Sequence, residues 1–123
     1  MSRRILIADD EPNIVVSLEF LMKREGFDVA TAVDGEATLA AIDKAKPDLV
    51  LLDIMLPKMN GFEVCQRIRA NPQWSDVKVL MLTAKGRDTE VAKGLALGAD
   101  AYVTKPFSTK DLVARVRQLL GLE

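Results

Sequence analysis

Apolar residues along this chain fall into two alternating patterns. Short apolar runs occur at residues 5–8, 49–52 and 77–82, the last interrupted by Lys78, and a run of this kind is typical of a strand buried on both faces. Residues 27–31 instead alternate between apolar and polar, as in a strand with a more exposed face. A brief apolar run at 101–104 predicts a fifth strand.

Between these runs, apolar residues recur at the three- and four-residue spacing of amphipathic helices. A turn is expected at Asp34 and Gly35, Pro47 is expected to stop the second helix, and Gly26 and Gly98 to cap the first and fourth. The fourth helix is expected near 88–97. The residues expected to face the core are Ile14, Val15, Leu18, Leu21 and Met22 in the first helix, Leu39 and Ile42 in the second, Phe62, Val64, Cys65 and Ile68 in the third, and Leu112, Val113, Val116, Leu119 and Leu120 in the fifth.

Strands that alternate with helices indicate a parallel sheet covered by helices on both faces. With right-handed crossovers, five such units form an α/β, flavodoxin-like, doubly wound five-stranded parallel sheet in the order 2-1-3-4-5, with five helices. The chain has 123 residues and contains no repeat or linker. We therefore expect a single domain over residues 1–123, with no output domain.

Composition narrows the range of functions. A net charge of −1 gives no overall field that favours nucleic acid or an anionic membrane. Histidine is absent, so phosphoryl or proton chemistry must use other side chains or a partner's histidine. The single cysteine, Cys65, lies among apolar residues and is expected in the core. Because there is neither a membrane-length apolar run nor a signal-peptide pattern, we expect a cytoplasmic domain.

Polar residues follow four of the predicted strands. They are Asp9 and Asp10 after the first strand, Asp53 after the third, Thr83 after the fourth and Lys105 after the fifth. Ligands bind beyond the carboxyl ends of such strands, where the strand order reverses between the first and the third. Crowded carboxylates repel each other, and Mg²⁺ would compensate them. Individually these could be solvated loop acids, a capping threonine and a surface lysine; together they provide a cation site, a phosphate partner and a nucleophilic carboxylate.

At this point the sequence resembles the receiver domains of two-component response regulators, over essentially its whole length. It is most similar to receivers of the winged-helix transcription-factor branch. The residues that carry the resemblance are Asp9-Asp10, Asp53 with Pro57 and Gly61 behind it, Thr83-Ala84 and Lys105-Pro106.

The resemblance implies that Asp53 accepts a phosphoryl group from a phosphohistidine on a histidine kinase or a phosphotransfer protein. It implies Mg²⁺, with Mn²⁺ able to substitute, held by Asp10, Asp53 and the backbone carbonyl of Met55, while Asp9 acts mainly through water. Lys105 would pair with the phosphoryl group or with Asp53. Apart from its own phosphorylation and slow dephosphorylation, the domain is not expected to be an enzyme.

The resemblance also implies how a signal leaves the site. Thr83 would hydrogen-bond the phosphoryl oxygens and move inward, and Tyr102 would follow it as the switching aromatic. The surface of the fourth helix, fifth strand and fifth helix would then recognise a downstream protein. A half-buried strand tyrosine without a switching role is the alternative for Tyr102. The Lys105–Pro106 peptide bond is expected to be cis.

Two departures from the family pattern concern dimerisation. Receivers of the winged-helix branch dimerise through charged pairs on that surface, with a basic residue where Val91 stands and an acidic one where Ala101 stands. Both charges are missing here, although Asp100, Asp111 and Arg115 remain. A phosphorylation-linked homodimer is therefore an open but weakened expectation.

Two residues bear on the lifetime of the phosphorylated form. The Met55 side chain cannot hydrogen-bond an attacking water, and Lys85, two residues after Thr83, would partly cover the phosphoryl group. We therefore expect slow self-dephosphorylation.

Three other functions fit parts of the pattern. An aspartyl phosphatase would want an acid two residues after Asp53, where Met55 stands. A flavin or nucleotide domain would want a Gly-rich or Ser/Thr-rich phosphate loop after the first strand, where this chain has Asp-Asp-Glu-Pro. A pseudo-receiver would not need the complete set of acids, threonine and lysine. The sequence does not identify the kinase, the output partner or the oligomeric state.

Overall fold

A computed structural model describes residues 3–84 and 88–122 of the chain. Within these residues five strands alternate with five α-helices, and a short 3₁₀ helix, Pro72–Trp74, precedes the fourth strand. None of the described helices has the length and apolar character needed to cross a membrane. The strands are β1 Arg4–Ala8, β2 Asp28–Ala32, β3 Leu49–Asp53, β4 Lys78–Ala84 and β5 Ala101–Lys105; the helices are α1 Pro12–Arg24, α2 Gly35–Lys44, α3 Gly61–Ala70, α4 Asp88–Ala96 and α5 Thr109–Leu119.

The five strands form one parallel sheet in the order β2-β1-β3-β4-β5, which confirms the predicted fold class. The register aligns the carboxyl ends of the central strands. Ala8 at the end of β1 pairs with Leu52, so Asp9 is level with Asp53, and Ala84 at the end of β4 pairs with Lys105. The polar residues that follow the strands therefore meet at one edge of the sheet.

Each face of the sheet carries its own apolar core, which explains the continuous apolar runs. In β3, Leu49 and Leu51 pack on the face covered by α1 and α5, whereas Val50 and Leu52 pack on the face covered by α2 and α3. A strand with helices on both sides has no solvent face, so alternation disappears from its sequence. Cys65 is buried on the α3 side, as expected.

The second helix begins differently from the sequence prediction. Asp34 is the N-cap of α2 and accepts a hydrogen bond from the Ala37 N–H at 2.7 Å, so Asp34 and Gly35 open the helix and do not form a separate turn. The helix ends at Lys44, shortly before Pro47, which agrees with the predicted stop at that proline.

The predicted glycine caps of α1 and α4 are confirmed. Gly26 and Gly98 have φ angles of 90° and 108°, the left-handed conformation that follows many helix C-termini. Ser108 is the N-cap of α5, and its hydroxyl accepts from the Asp111 N–H at 3.3 Å.

Candidate functional site

Three carboxylates meet at the carboxyl edge of the sheet. Asp9 and Asp10 follow β1 directly, and Asp53 is the last residue of β3; one oxygen from each lies within 4.8 Å of the others. Asp9 and Asp53 are buried, and Asp10 is exposed. The three acids that the sequence predicted to converge therefore do so.

The Lys105 ammonium lies against this cluster. Its Nζ is 2.9 Å from Asp9 Oδ2, 3.1 Å from Glu11 Oε1 and 3.6 Å from Asp53 Oδ2. Burial by itself would lower the pKa of Lys105, but the hydrogen bond to Asp9 and the charges of Asp53 and Asp9 raise the pKa above its ordinary value. The lysine is therefore a fixed positive charge. The Lys105–Pro106 bond is cis, as predicted.

The surroundings of Asp53 disfavour the ionised form of its carboxylate. Burial raises its pKa above the ordinary value, and the negative charges of Asp9 and Asp10 add to this shift. The Met55 N–H, which donates to Asp53 Oδ1 at 3.2 Å, and the charge of Lys105 act in the opposite direction without cancelling it. Converging oxygens with surplus negative charge are the donor set that a hard divalent cation requires, so these residues fit Mg²⁺.

Two glycines allow the segment after Asp53 to close tightly against the sheet. The Gly61 N–H donates to the Ile54 carbonyl at 2.9 Å, and a Cβ on Gly61 would lie 2.5 Å from the Asp53 carbonyl oxygen. The Gly35 N–H donates to the Pro57 carbonyl at 3.2 Å, and a Cβ there would collide with backbone of the same segment. These contacts explain why Gly61 follows Asp53 at its particular spacing.

The two predicted switch residues border one gap. Thr83 is buried, and its hydroxyl donates to the Ala84 carbonyl at 3.5 Å, the long limit of a hydrogen bond. Tyr102 is 39% exposed on β5. Both line a narrow, mostly apolar gap beside α4, together with Val91 and Leu95, and the gap is too small to hold a water molecule. Their movement stays a prediction.

The surface made by α4, β5 and α5, hereafter the α4–β5–α5 face, carries fewer free charges than the sequence suggested. Asp111 and Arg115 line an open recess with Tyr102. Val91 is half-buried, and Ala101 is buried.

Asp100, in contrast, is bonded inside the chain. Its Oδ2 lies 2.8 Å from Arg69 Nη2 and accepts the Val79 N–H at 2.7 Å. Arg69 also donates to the carbonyl oxygens of Gly98 and Val77, both at 2.8 Å. Asp100 is exposed, as expected, but Arg69 and the Val79 N–H already engage its carboxylate. Its part in dimerisation stays a prediction.

Of the two residues expected to affect the lifetime of the phosphorylated form, the structure describes Met55 but not Lys85. Met55 has its side chain 69% exposed beside Asp53, and the metal-binding role of its carbonyl stays a prediction. Lys85 lies outside the described residues.

Sequence reasoning missed Glu11, whose carboxylate reaches Lys105. Its position directly after the aspartate pair was the available signal.

Comparison with known proteins agrees with this arrangement. The family model for the response regulator receiver domain matches residues 5–117. The alkaline phosphatase synthesis transcriptional regulatory protein PhoP of Bacillus subtilis is 48% identical over 120 residues, which cover 98% of this chain and 49% of that protein. The DNA-binding response regulator MtrA of Mycolicibacterium smegmatis is 50% identical over 120 residues, covering 98% of this chain and 51% of that protein.

A solved structure gives the same result for the fold. The crystal structure of a putative response regulator from Chloroflexus aurantiacus superposes with a TM-score of 0.95 at 35% identity, covering 98% of this chain and 99% of that one. The chain belongs to the response regulator receiver domain family. It is similar to transcriptional regulators of the winged-helix branch and spans about half the length of these curated relatives.

Proposed function

We propose that this domain accepts a phosphoryl group on Asp53 from a phosphohistidine of a histidine kinase or phosphotransfer protein. The observation that carries the proposal is the buried Asp53 carboxylate, which shares one sheet edge with two other acids and lies 3.6 Å from the Lys105 ammonium. A nucleophile, a fixed cation and a set of metal-binding oxygens are what phosphoryl transfer needs from a protein.

In the reaction, an Asp53 oxygen forms a bond to phosphorus as the phosphorus–nitrogen bond of the donor breaks. The electron pair of that bond stays on the donor imidazole, and the product is an aspartyl phosphate. Lys105 neutralises negative charge on the phosphoryl oxygens. The absence of histidine from this chain agrees with a donor histidine supplied by the partner. Attack of water on phosphorus later releases inorganic phosphate and restores Asp53.

Asp10 and Asp53 would hold Mg²⁺, or Mn²⁺ in its place, with the Met55 carbonyl as a further ligand and Asp9 acting mainly through water. When bound, the cation neutralises the carboxylates and polarises the phosphoryl oxygens. The raised pKa of Asp53 supports this assignment, because a carboxylate that is costly to ionise is stabilised by a nearby cation.

The output of the domain is a change of the α4–β5–α5 face. The Thr83 hydroxyl turns toward the phosphoryl group, and Tyr102 follows it into the space that Thr83 vacates, beside the narrow gap that both residues line. A downstream protein then binds the altered face; a homodimer is weaker here because Val91 and Ala101 carry no charge. We place the domain in the cytoplasm, without direct contact to nucleic acid or membrane.

The arrangement of Asp53, the other two acids and Lys105 supports a phosphoacceptor better than it supports a true enzyme or a pseudo-receiver. An aspartyl phosphatase needs a second acid two residues after the nucleophile, and the exposed Met55 side chain occupies that position. A pseudo-receiver has no use for an intact cluster of three acids with a lysine against it.

The test is intact mass after incubation with Mg²⁺ and acetyl phosphate, for the wild type and for Asp53→Ala. We expect a gain of about 80 Da, one phosphoryl group, in the wild type only, abolished when Mg²⁺ is chelated. If the wild type gains no adduct and also fails to bind beryllofluoride, phosphoacceptor chemistry is wrong for this domain.

A further inference from the structure

Glu11 occupies a helix N-cap position without capping the helix. It directly precedes α1, yet its side chain makes no hydrogen bond to the backbone of the first turn. Short polar side chains normally fill this position because they accept from those N–H groups. The Glu11 carboxylate reaches the sheet edge and lies 3.1 Å from Lys105 Nζ.

Asp9 fixes both partners of this contact. Its Oδ2 accepts from Lys105 Nζ at 2.9 Å, while its Oδ1 accepts from the Glu11 backbone N–H at 2.9 Å. Asp9 is fully buried, whereas the Glu11 side chain is 60% exposed. The ammonium is therefore held between one immobile carboxylate and one exchangeable carboxylate.

Asp53 is the most distant of the three acids that Lys105 contacts. At 3.6 Å its Oδ2 is beyond hydrogen-bond distance from Lys105 Nζ. An ammonium has three N–H donors, and Asp9 and Glu11 each engage one of them here.

We propose that Glu11 is a positioning residue that holds the Lys105 ammonium away from Asp53 until a phosphoryl group displaces it. This inference rests on the phosphoacceptor function proposed above. An ion pair with a mostly exposed carboxylate is weak, so it exchanges readily, whereas the contact with buried Asp9 persists. Glu11 thereby opposes phosphorylation of the resting domain, and its release leaves Lys105 tethered by Asp9 beside the new group.

The first experiment asks whether Glu11 restrains Lys105, without any phosphoryl chemistry. The metal-free protein is acetylated with an N-hydroxysuccinimide ester, and the rate at Lys105 is followed by peptide mass spectrometry. We expect Glu11→Gln to raise this rate roughly two- to fivefold, as for the loss of one exposed ion pair. Glu36→Gln, an exposed acid in the first turn of α2, is the matched control and should leave the rate unchanged.

Glu11→Asp separates contact from charge. Aspartate keeps the negative charge but is one methylene shorter and is a preferred N-cap, so it should turn to the α1 backbone and away from Lys105. If Glu11 acts by contact, Glu11→Asp accelerates labelling as Glu11→Gln does. If Lys105 reacts at the wild-type rate in both variants, or only the glutamine variant differs, the proposal is wrong.

The second experiment measures beryllofluoride affinity at saturating Mg²⁺. Both Glu11 variants should bind about two- to fivefold more tightly than the wild type and the Glu36→Gln control. Equal affinities for all four proteins would overturn the role of Glu11 in phosphoryl binding. If the wild type binds no beryllofluoride, the proposed function fails, and the labelling rates still decide whether Glu11 restrains Lys105.

Discussion

Arg69 on α3 and Asp100 before β5 form a clamp, with guanidinium and carboxylate 2.8 Å apart. The same guanidinium donates to the carbonyl oxygens of Gly98 and Val77, so one side chain joins α3, the start of β4 and the turn after α4. The carboxyl end of α4 is therefore anchored beside the sheet.

Replacing Arg69 with methionine should destabilise the domain substantially. The change keeps much of the apolar stem but removes the guanidinium that two carbonyl oxygens accept from and that pairs with Asp100, which among the described residues keeps only the Val79 N–H. We expect a cost of about 2–3 kcal/mol. Urea unfolding measures the difference. Arg67→Met is the control, because among the described residues Arg67 pairs with Glu63 in an exposed helical ion pair. This variant should change stability by less than about 0.5 kcal/mol. Equal losses for both variants would contradict the clamp.

Asp53→Asn should stabilise the metal-free domain at neutral pH. Since burial raises the pKa of Asp53, the folded state holds its proton more tightly than the unfolded chain. Stability therefore falls as pH rises from the ordinary pKa of 3.8 through the folded-state pKa. Removing the charge should recover about 1 kcal/mol, or roughly 3–5 °C in Tm.

Melting in EDTA at several pH values checks this prediction. The advantage of Asp53→Asn should be largest near neutral pH and should shrink as pH approaches 3.8, the ordinary pKa of the carboxyl. Asp76→Asn is an informative control: Lys46 lowers the pKa of exposed Asp76, so the sign is reversed. A lower Tm for Asp53→Asn at neutral pH would show that Lys105 outweighs burial at this site.

Mg²⁺ should stabilise the wild type by linkage, because the three carboxylates converge only in the folded state. At about ten times the dissociation constant the gain is roughly 1.4 kcal/mol. The Tm of the wild type should rise with Mg²⁺ concentration. The rise should be smaller for Asp10→Asn and Asp53→Asn, and as large as in the wild type for Glu36→Gln. An identical rise in all four proteins would mean that the cation acts elsewhere.

The sequence predicted the sheet and the convergence of polar residues for a physical reason. Strands such as β3, buried on both faces, leave an apolar run, and a polar residue such as Asp53 at the end of the run marks the sheet edge. Parallel order then fixes which ends are neighbours. Apolar runs and the polar residues that end them can be read directly along the sequence, so the fold and the location of the site were predictable.

The contacts of long side chains had no such signal. Arg69 reaches Asp100 across 31 positions of the sequence, and Lys105 reaches Glu11 across 94. Both pairs depend on where helices end relative to the sheet, which hydrophobic periodicity does not specify. Consequently the pairing of exposed Asp100 with Arg69 was not predicted, and Glu11 was read only as part of an acidic loop.

Gly61→Ala should disrupt the site through the backbone. The new Cβ would lie 2.5 Å from the Asp53 carbonyl oxygen, which belongs to a central strand and cannot yield. We expect a loss of about 2–4 kcal/mol in urea unfolding and slower phosphorylation of Asp53. Gly94→Ala is the matched control: its Cβ would meet Met81 at 3.5 Å, an ordinary contact, and helix propensity should add up to about 1 kcal/mol. A neutral Gly61→Ala would contradict the close approach.

Met55→Asn should shorten the lifetime of the phosphorylated domain. The Met55 side chain is 69% exposed beside the phosphoacceptor, so an amide there can reach a water molecule approaching the phosphoryl group, which a thioether does not hold. One hydrogen bond formed in the transition state is worth about 1 kcal/mol, or roughly a fivefold faster reaction. Loss of the phosphoryl mass after removal of acetyl phosphate measures the rate, with Met55→Leu as the control of similar size. If asparagine and leucine give the same rate as methionine, the side chain at this position does not set the lifetime, and protection of the phosphoryl group must come from elsewhere around the site.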